Sequence, residues 1–209
     1  MLHVEALPSG TLPVLKELVQ VPSLVDHALV GGTALALRYG HRISVDIDLF
    51  STNALDSTVV LDDLQRLFGE RFSFRRDQQA KWAVFGFIDG VKVDIVRFPH
   101  SLIADVQVLD GIRIYADADI APMKIEAILH RAKKKDFFDL DLLIRAHGLP
   151  AILDWHRLKY PDNSIAISIP YAITYFKDAE DSEEPISLHD QTWEEVKSSI
   201  QKAVRDYLS

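Results

Sequence analysis

The 209-residue chain contains no cysteine, which excludes disulfide bonds and thiolate-bound zinc and makes a reducing, cytoplasmic location the default expectation. No apolar run approaches the roughly 20 residues that a membrane-spanning helix needs. The first five residues, MLHVE, lack the basic start and apolar stretch of a secretory signal. We therefore predict a cytoplasmic protein without a membrane segment.

Motifs of two large enzyme classes are also missing. There is no Gly-x-x-x-x-Gly-Lys-Ser/Thr element, so a Walker-type ATPase is not expected. There is no Gly-x-Ser-x-Gly element either, which argues against a serine hydrolase. The histidines show no metal-ligand spacing, so a zinc site is not expected.

A positive charge balance is lacking as well. The chain has 23 Lys and Arg against 31 Asp and Glu, a formal net charge of −8, so general nucleic-acid binding is not expected. Residues 131–135 nevertheless hold four cations, which leaves open either a local anion site or a solvated helix end. Hydrophobic residues make up 48% of the chain, enough to form a core.

Hydrophobic periodicity predicts an α/β sheet unit over residues 1–117 and a helical unit over residues 118–209. In the first, Asp89-Gly90 indicates a tight hairpin between two strands. In the second, we expect Asp119 to cap a helical stretch that runs to Gly148 with a break near residues 133–136. We predict helices over 11–20, 33–39, 58–69 and 193–208, and strands over 28–30, 44–50, 72–74, 82–88, 91–98 and 112–115.

Two segments carry carboxylates on expected strands. In Asp46-Ile47-Asp48 both acidic side chains and Ser44 share one face, because residues two apart on a strand point to the same side. Val45, Ile47 and Leu49 then take the core-facing side. A second expected strand places Asp94 within VKVDIV. If the two strands are neighbours, three carboxylates converge on one patch.

Such a patch is unfavourable without a cation. Each like-charged pair at about 4 Å repels by roughly 1 kcal/mol in water and roughly 4 kcal/mol at an effective dielectric constant of 20. Mg²⁺ reverses this, since it prefers carboxylate oxygens. Two such ions about 3.5–4 Å apart activate an attacking hydroxyl and stabilise a leaving pyrophosphate. The alternative is that the aspartates cap strand ends or pair with Arg42 and Arg97.

A glycine pair precedes the acidic pair by about 15 residues. Gly31-Gly32 lies between an expected strand and an expected helix, where bare backbone can approach a phosphate and helical N–H groups point outward. Thr33 adds a hydroxyl at the same helix start. A glycine pair alone is more often a turn or cap, but here it can lie beside the carboxylates.

The run GGTALALRYGHRISVDIDLF resembles the signature of DNA polymerase β-type nucleotidyltransferases, in the form used by the AbiEii/AbiGii toxin family. That pattern is a glycine pair, a short helix, an Arg-x-Ser step and Asp-x-Asp. Further positions of the pattern match Asp94, Lys124 and Asp136. The resemblance is strong over residues 27–145 and looser beyond. It implies an α+β fold, with a mixed or antiparallel sheet flanked by helices and followed by a C-terminal helical region.

The resemblance also implies roles for individual residues. Lys124 would contact the nucleotide's phosphates, and Asp136 would act near the acceptor, as general base for its hydroxyl. The metal ligands, for Mg²⁺ or Mn²⁺, would be Asp46, Asp48 and Asp94, and the nucleotide-binding residues Gly31, Gly32, Thr33, Arg42 and Ser44.

The alternatives for the two later residues are structural. Lys124 can be an exposed helix lysine, and Asp136 can simply pair with Lys133 or Arg131. Helix geometry is nevertheless compatible with the implied roles: on one continuous helix, Lys124, Arg131 and Lys135 would share a stripe and form an electropositive wall facing the acidic metal patch.

The function implied is transfer of a nucleoside monophosphate from an NTP to a hydroxyl acceptor, a tRNA end or a protein side chain. The family's role as the toxin of a toxin–antitoxin or phage-defence pair makes a cognate antitoxin an expected partner. Two alternatives stay open: a non-catalytic nucleotide- or partner-binding module on the same fold, and a small-molecule nucleotidyltransferase of the antibiotic-modifying type.

Overall fold

The computed structural model describes residues 2–75, 80–162 and 168–209. Its helices and strands fall in two units. The first unit comprises Met1–Ser101 and Val106–Tyr115, and the second comprises Leu102–Asp105 and Ala116–Ser209.

The first unit is a mixed sheet with helices. Its helices are α1 (Thr11–Leu18), α2 (Gly31–Tyr39) and α3 (Ser57–Phe68), and its strands are β1 (Ala28–Leu29), β2 (Ile47–Ser51), β3 (Phe72–Ser73), β4 (Ala83–Ile88), β5 (Val91–Arg97), β6 (Gln107–Leu109) and β7 (Ile112–Ile114). Over the described residues the strand order is β3-β4-β5-β2-β1-β7-β6. The β2–β5 and β1–β7 pairs are parallel and the other pairs are antiparallel. The predicted mixed sheet with helices is confirmed.

Asp-Gly turns close two hairpins of this sheet. Asp89 and Gly90 have φ of 50° and 79°, and Asp110 and Gly111 have φ of 49° and 79°. Two successive residues with positive φ match the right-handed twist of the flanking strands. The first hairpin was predicted. The second, β6–β7, was missed although it carries the same Asp-Gly signal.

The strand that carries the Asp-x-Asp motif begins later than predicted. β2 starts at Ile47 rather than Ser44, so Ser44 and Asp46 lie in the preceding loop. Ile47 and Leu49 are buried as expected, but Val45 is 53% exposed, so its predicted place in the core is wrong. The physical reason is a contact between residues distant in sequence: the Asp46 carbonyl oxygen accepts a hydrogen bond from the Thr33 hydroxyl, and residues 44–46 form a loop.

The second unit is helical. Its helices are α4 (Asp117–Arg131), α5 (Lys134–His147), α6 (Leu149–Lys159), α7 (Ile169–Ala172) and α8 (Trp193–Leu208). The predicted break is confirmed between α4 and α5, where Ala132 adopts a left-handed φ of 36°. A capping box of Thr192 and Glu195 starts α8 at the predicted residue. An aromatic cluster of Phe137, Phe176 and Trp193 lies in its core.

Asp119 does not cap α4 as predicted, because the helix already begins at Asp117 after Ala116. Its carboxylate is 0% exposed, accepts hydrogen bonds from the backbone N–H groups of Ile103 and Ala104, and lies 2.7 Å from the Lys159 ammonium. Asp119 therefore attaches residues 102–105 to the helical unit.

No helix among the described residues has both the length and the apolar character needed to cross a membrane.

Candidate active site

Asp48 and Asp94 lie side by side. The parallel pairing of β2 and β5 puts Asp48 directly opposite Asp94, with Ile47 opposite Val93. Neighbouring strands are about 4.8 Å apart and paired residues point to the same face, so the two carboxylates share one patch. Both are half-buried, whereas Ile47 and Val93 on the other face belong to the core. The expected adjacency of these two strands is therefore present.

Asp46 lies in the loop before β2, where its backbone is held by Thr33. Thr33 Oγ1 donates a hydrogen bond to the Asp46 carbonyl oxygen and lies 2.9 Å from Ser44 Oγ. Thr33 and Ser44 are 1% and 8% exposed. These two hydroxyls thus connect the start of α2 to the loop and fix the backbone that carries Asp46.

Gly31 lies against the Asp48 carboxylate. Its φ is +70°, and a Cβ added there would lie 2.8 Å from Asp48 Oδ2. Glycine is required twice over, for the backbone conformation and for the space. Gly32 is buried within the first turn of α2. The glycine pair was predicted to let the backbone approach a phosphate, and in the structure the Asp48 side chain also needs the space at Gly31.

The cation beside Asp94 is Lys92, two residues earlier on β5, whose ammonium pairs with Asp94 Oδ2. Sequence reasoning considered Arg97 as a partner of the aspartates and missed Lys92. Its signal was available, since residues two apart on a strand share a face. Arg42 is 3% exposed and donates from Nη1 to the Ile43 carbonyl oxygen at 3.0 Å, so it holds the loop that leads to β2.

One observation bears directly on a metal at this patch. Asp94 Oδ1 is buried and has no hydrogen-bond partner among the described residues. A buried carboxylate oxygen without a donor is unfavourable by about 1–3 kcal/mol or more, and a cation would remove that penalty. In the side-chain positions seen, no three His, Asp or Glu residues of the described segments form a complete metal-binding group. The carboxylate oxygens fit a hard cation, with Asp48 and Asp94 as the adjacent pair.

Lys124 and Asp136 meet inside the second unit. Lys124 Nζ lies 3.1 Å from Asp136 Oδ1 and 2.6 Å from Asp139 Oδ2. Lys124 is 5% exposed and both aspartates are 0% exposed, so the alternative of an exposed helix lysine is wrong. Arg131 Nε lies 3.3 Å from Asp136 Oδ2, so Asp136 does make the ion pair with Arg131 that was considered.

The predicted stripe of cations on one helix is wrong. Lys124 and Arg131 lie on α4, but Lys135 lies on α5, beyond the break at Ala132. Asp139, which sequence reasoning did not single out, is the nearest carboxylate to Lys124. It follows Asp136 by three residues on α5, a spacing that puts the two carboxylates on one side of a helix.

The chain is similar in sequence to known proteins. Residues 14–207 match the family model described as nucleotidyl transferase AbiEii toxin, type IV toxin–antitoxin system. An uncharacterized protein of Aquifex aeolicus is 34% identical over 200 residues, covering 93% of this chain and 94% of that protein.

Solved structures share the fold. A protein from H. pylori proposed to be a nucleotidyltransferase has a TM-score of 0.59 at 17% identity, over 97% of this chain and 99% of its own. MenT4, a nucleotidyltransferase toxin from Mycobacterium tuberculosis, has a TM-score of 0.53 at 17% identity, over 92% and 83%. At these identities the likeness shows the fold alone. The family match over nearly the whole chain goes further, and it confirms the expectation from the glycine and aspartate motifs: this chain belongs to the AbiEii family of nucleotidyltransferase toxins and is a nucleotidyltransferase.

Proposed function

We propose that the chain transfers a nucleoside monophosphate from an NTP to a hydroxyl acceptor and releases pyrophosphate, with Mg²⁺ or Mn²⁺ held by Asp46, Asp48 and Asp94. The observation that supports this most is the in-register pair of Asp48 and Asp94 on adjacent parallel strands. The buried, unpartnered Oδ1 of Asp94 adds a ligand atom that the protein itself leaves unsatisfied.

The nucleotide's phosphates belong, in this proposal, at the start of α2. Gly31 and Gly32 open that helix, where backbone N–H groups without helical partners favour anions. Thr33 and Ser44 fix the adjoining loop through their hydroxyl contact. Because Gly31 also contacts Asp48, a phosphate placed there would lie beside the carboxylate patch.

The residues have separable tasks. Asp48 and Asp94 hold the cation between two strands, and the Thr33 contact positions Asp46 from the loop. A bound divalent cation supplies charge stabilisation on phosphate and hydroxyl oxygens. Gly31, which has no Cβ, leaves the space that the Asp48 carboxylate occupies.

Two family-implied roles stay predictions: Lys124 at the phosphates and Asp136 as the base near the acceptor. The role as the toxin of a toxin–antitoxin pair, with an antitoxin partner, also belongs to the proposal. Host growth that is inhibited by the wild-type chain but not by Asp48→Asn would support the toxin role.

The activity is tested with the full chain, the four α-labelled NTPs and total cellular RNA and protein, with Mg²⁺ varied. Asp48→Asn and Asp94→Asn should each lower label transfer by roughly 1,000-fold, equivalent to about 4 kcal/mol of transition-state stabilisation. Asp154→Asn is the matched control, because Asp154 is an exposed carboxylate paired with Arg157. It should transfer label at the wild-type rate.

Calorimetry of Mg²⁺ with a non-hydrolysable NTP supplies a readout besides activity. The wild-type chain should bind the pair, and Asp94→Asn should weaken metal binding while the fold is retained. Label transfer that is equal in the wild type, both aspartate variants and the control would show the proposed reaction to be wrong.

A further inference from the structure

Arg113 is a half-buried arginine of the first unit to which the proposed reaction, as described so far, gives no task. It lies on β7 between Ile112 and Ile114, which are 1% and 0% exposed. Its Nε is buried, and the guanidinium has neither a hydrogen-bond acceptor nor an ion pair among the described residues. A buried donor on a charged group loses its hydration without a replacement, so this guanidinium favours an acceptor from outside the chain.

The other two arginines of the described segments that are not exposed, Arg38 and Arg42, both have backbone acceptors. Arg38 Nη2 donates to the Tyr115 carbonyl oxygen at 2.9 Å, and Arg42 Nη1 donates to the Ile43 carbonyl oxygen at 3.0 Å. The chain therefore satisfies a guanidinium that leaves water from its own backbone. Arg113 departs from that pattern, as a residue that binds an anionic ligand does.

The register of the sheet puts Arg113 on the same face as the carboxylate pair. Leu29 on β1 is directly opposite Leu49 on β2 and Ile114 on β7, and these three side chains are buried in the core. Successive side chains of a strand alternate between the two faces. Asp48, which precedes Leu49, therefore points to the other face, and so does Arg113, which precedes Ile114.

The strand order places Arg113 beyond the glycines, as seen from the carboxylates. Over the described residues, β1 separates β2 from β7, and it leads into Gly31 at the start of α2. Neighbouring strands are about 4.8 Å apart, so β2 and β7 are about 10 Å apart. An NTP with its reacting phosphate at Asp48 and its other phosphates extending towards Gly31 has its terminal phosphate on the β7 side.

A guanidinium is chemically suited to that phosphate. It is always charged, and its planar fork of N–H groups binds two phosphate oxygens at once. The start of α2 offers N–H groups but only a partial charge. On the other side of the carboxylates Lys92 is already paired with Asp94, whereas the charge of Arg113 is not used by a carboxylate of the described residues.

We propose that Arg113 binds the terminal phosphate of the NTP and makes the chain bind an NTP more tightly than the corresponding NDP. The inference rests on the proposed function, because it adds a residue to the nucleotide site of that reaction. The contact is made equally before and during the transfer, so Arg113 contributes to nucleotide affinity rather than to the chemical step.

Binding is measured by calorimetry on the full chain, with Mg²⁺ and each of the four non-hydrolysable NTPs or the four NDPs. Arg113→Met keeps an unbranched apolar side chain and removes the charge. The affinity of the NTP that binds the wild type best should fall by roughly ten- to 100-fold, the effect of losing a charge-assisted hydrogen bond. The affinity of its NDP should not change. Arg113→Lys should retain part of the NTP preference, because the charge stays and only the fork is lost.

Arg97→Met is the matched control. Arg97 is an exposed arginine on β5 of the same sheet, three residues after Asp94 and therefore on the opposite face. It should leave both affinities unchanged. Thermal unfolding is recorded on the same preparations, and Arg113→Met should unfold at the wild-type temperature. A lower unfolding temperature together with an equal loss of NTP and NDP affinity would assign Arg113 to the fold and overturn the inference.

Steady-state label transfer gives a further readout. Arg113→Met should raise the KM for NTP and leave kcat unchanged, because the lost contact is the same in the ground state and the transition state. Asp48→Asn should instead lower kcat. An Arg113→Met protein that keeps the wild-type preference for NTP over NDP would also overturn the inference.

Failure of this inference and failure of the proposed function are distinguishable. An NTP preference that depends on Arg113, in a chain whose label transfer ignores Asp48→Asn, would retain the phosphate contact and reject the reaction. Label transfer that depends on Asp48, with an NTP preference that ignores Arg113, would retain the reaction and reject the phosphate contact.

Discussion

The two units place their carboxylates in opposite environments. In the second unit Asp119, Asp136, Asp139 and Asp141 are all 0% exposed, and each lies beside a cation. In the first unit Asp46, Asp48 and Asp94 are half-buried. Asp94 Oδ1 is buried without a hydrogen-bond partner, but so are Asp136 Oδ2 and Asp141 Oδ1 in the second unit, so the difference between the units lies in burial. Removing one partner of a fully buried ion pair destabilises a fold, whereas a half-buried carboxylate beside a second one is accessible to a cation.

This comparison explains why residue type alone does not assign a role. Aspartate is found in both environments, and what separates them is burial, which is complete in the helical unit and partial on the sheet face. In the helical unit Lys124, Arg131, Lys159 and Arg145 form ion pairs with the buried carboxylates. On the sheet face of the first unit, Lys92 reaches only one oxygen of Asp94.

The largest expected effect on stability is at the Asp119–Lys159 pair of the second unit. Asp119→Ala leaves Lys159, whose side chain is 0% exposed, without its carboxylate and removes the acceptor of two backbone N–H groups. We expect a loss of about 3–5 kcal/mol in the free energy of unfolding, measured by urea titration. Lys159→Met should cost less, because those N–H groups still neutralise part of the Asp119 charge.

Two further variants show whether the loss of stability is specific to the buried ion pair. Asp154→Ala removes one partner of an exposed ion pair on α6 and should stay within about 0.5 kcal/mol of the wild type. Asp94→Asn should lower activity without lowering stability, since it relieves repulsion with Asp48. If Asp94→Asn destabilises the chain as strongly as Asp119→Ala does, the contrast between the two units is wrong.

Much of the fold was predictable because it is encoded locally. The Asp-Gly turns, the capping box at Thr192 and the alternation of β5 each act over a few residues. The same local reasoning would have found β6 from Asp110-Gly111. The motif and the strand pattern predicted that Asp48 and Asp94 lie close together, and in the structure they are directly opposite each other on paired strands.

What could not be predicted depends on partners distant in sequence. The late start of β2 leaves Ser44 in a loop, where its hydroxyl lies 2.9 Å from the hydroxyl of Thr33, 11 residues away. The burial of Asp119 follows from Lys159, 40 residues away, and from a loop that precedes β6. From sequence alone Lys124 can be an exposed helix lysine, because nothing in its own helix predicts that Asp136 and Asp139 of α5 pack against it. Periodicity carries no information on such pairings.

The next largest effect is expected at Gly31, which lies against the Asp48 carboxylate. Gly31→Ala should destabilise the chain by about 1–3 kcal/mol, because alanine is strained at φ +70° and its Cβ would meet Asp48 Oδ2 at 2.8 Å. Label transfer should fall by more than roughly ten-fold, since the Asp48 carboxylate must move. Thermal unfolding and label transfer are measured on the same preparations.

Two other glycines separate the causes. Gly69 has φ +54° with nothing within 4 Å of an added Cβ, so Gly69→Ala reports strain alone. Gly10 has φ −83° and open space, so Gly10→Ala should be neutral. Activity loss in Gly69→Ala equal to that in Gly31→Ala would mean that contact with Asp48 is irrelevant.

The smallest expected effect concerns a buried group of the first unit that is not a carboxylate. His27 is 7% exposed, neither ring nitrogen has a hydrogen-bond partner among the described residues, and burial lowers its pKa to about 4. The unfolded chain takes up the proton near pH 6.5, whereas the folded chain resists it until about pH 4. Its contribution to stability is therefore present above pH 6.5 and falls by about 2–3 kcal/mol as the pH drops to 4.

That pH dependence is checked by urea titrations between pH 7 and pH 4. In His27→Gln the decline should be shallower than in the wild type, while His189→Gln, at an exposed position, should follow the wild-type curve. Identical acid limbs in the wild type and His27→Gln would mean that the buried imidazole of the first unit has a partner in solution, and the contrast between the units would then be confined to their carboxylates.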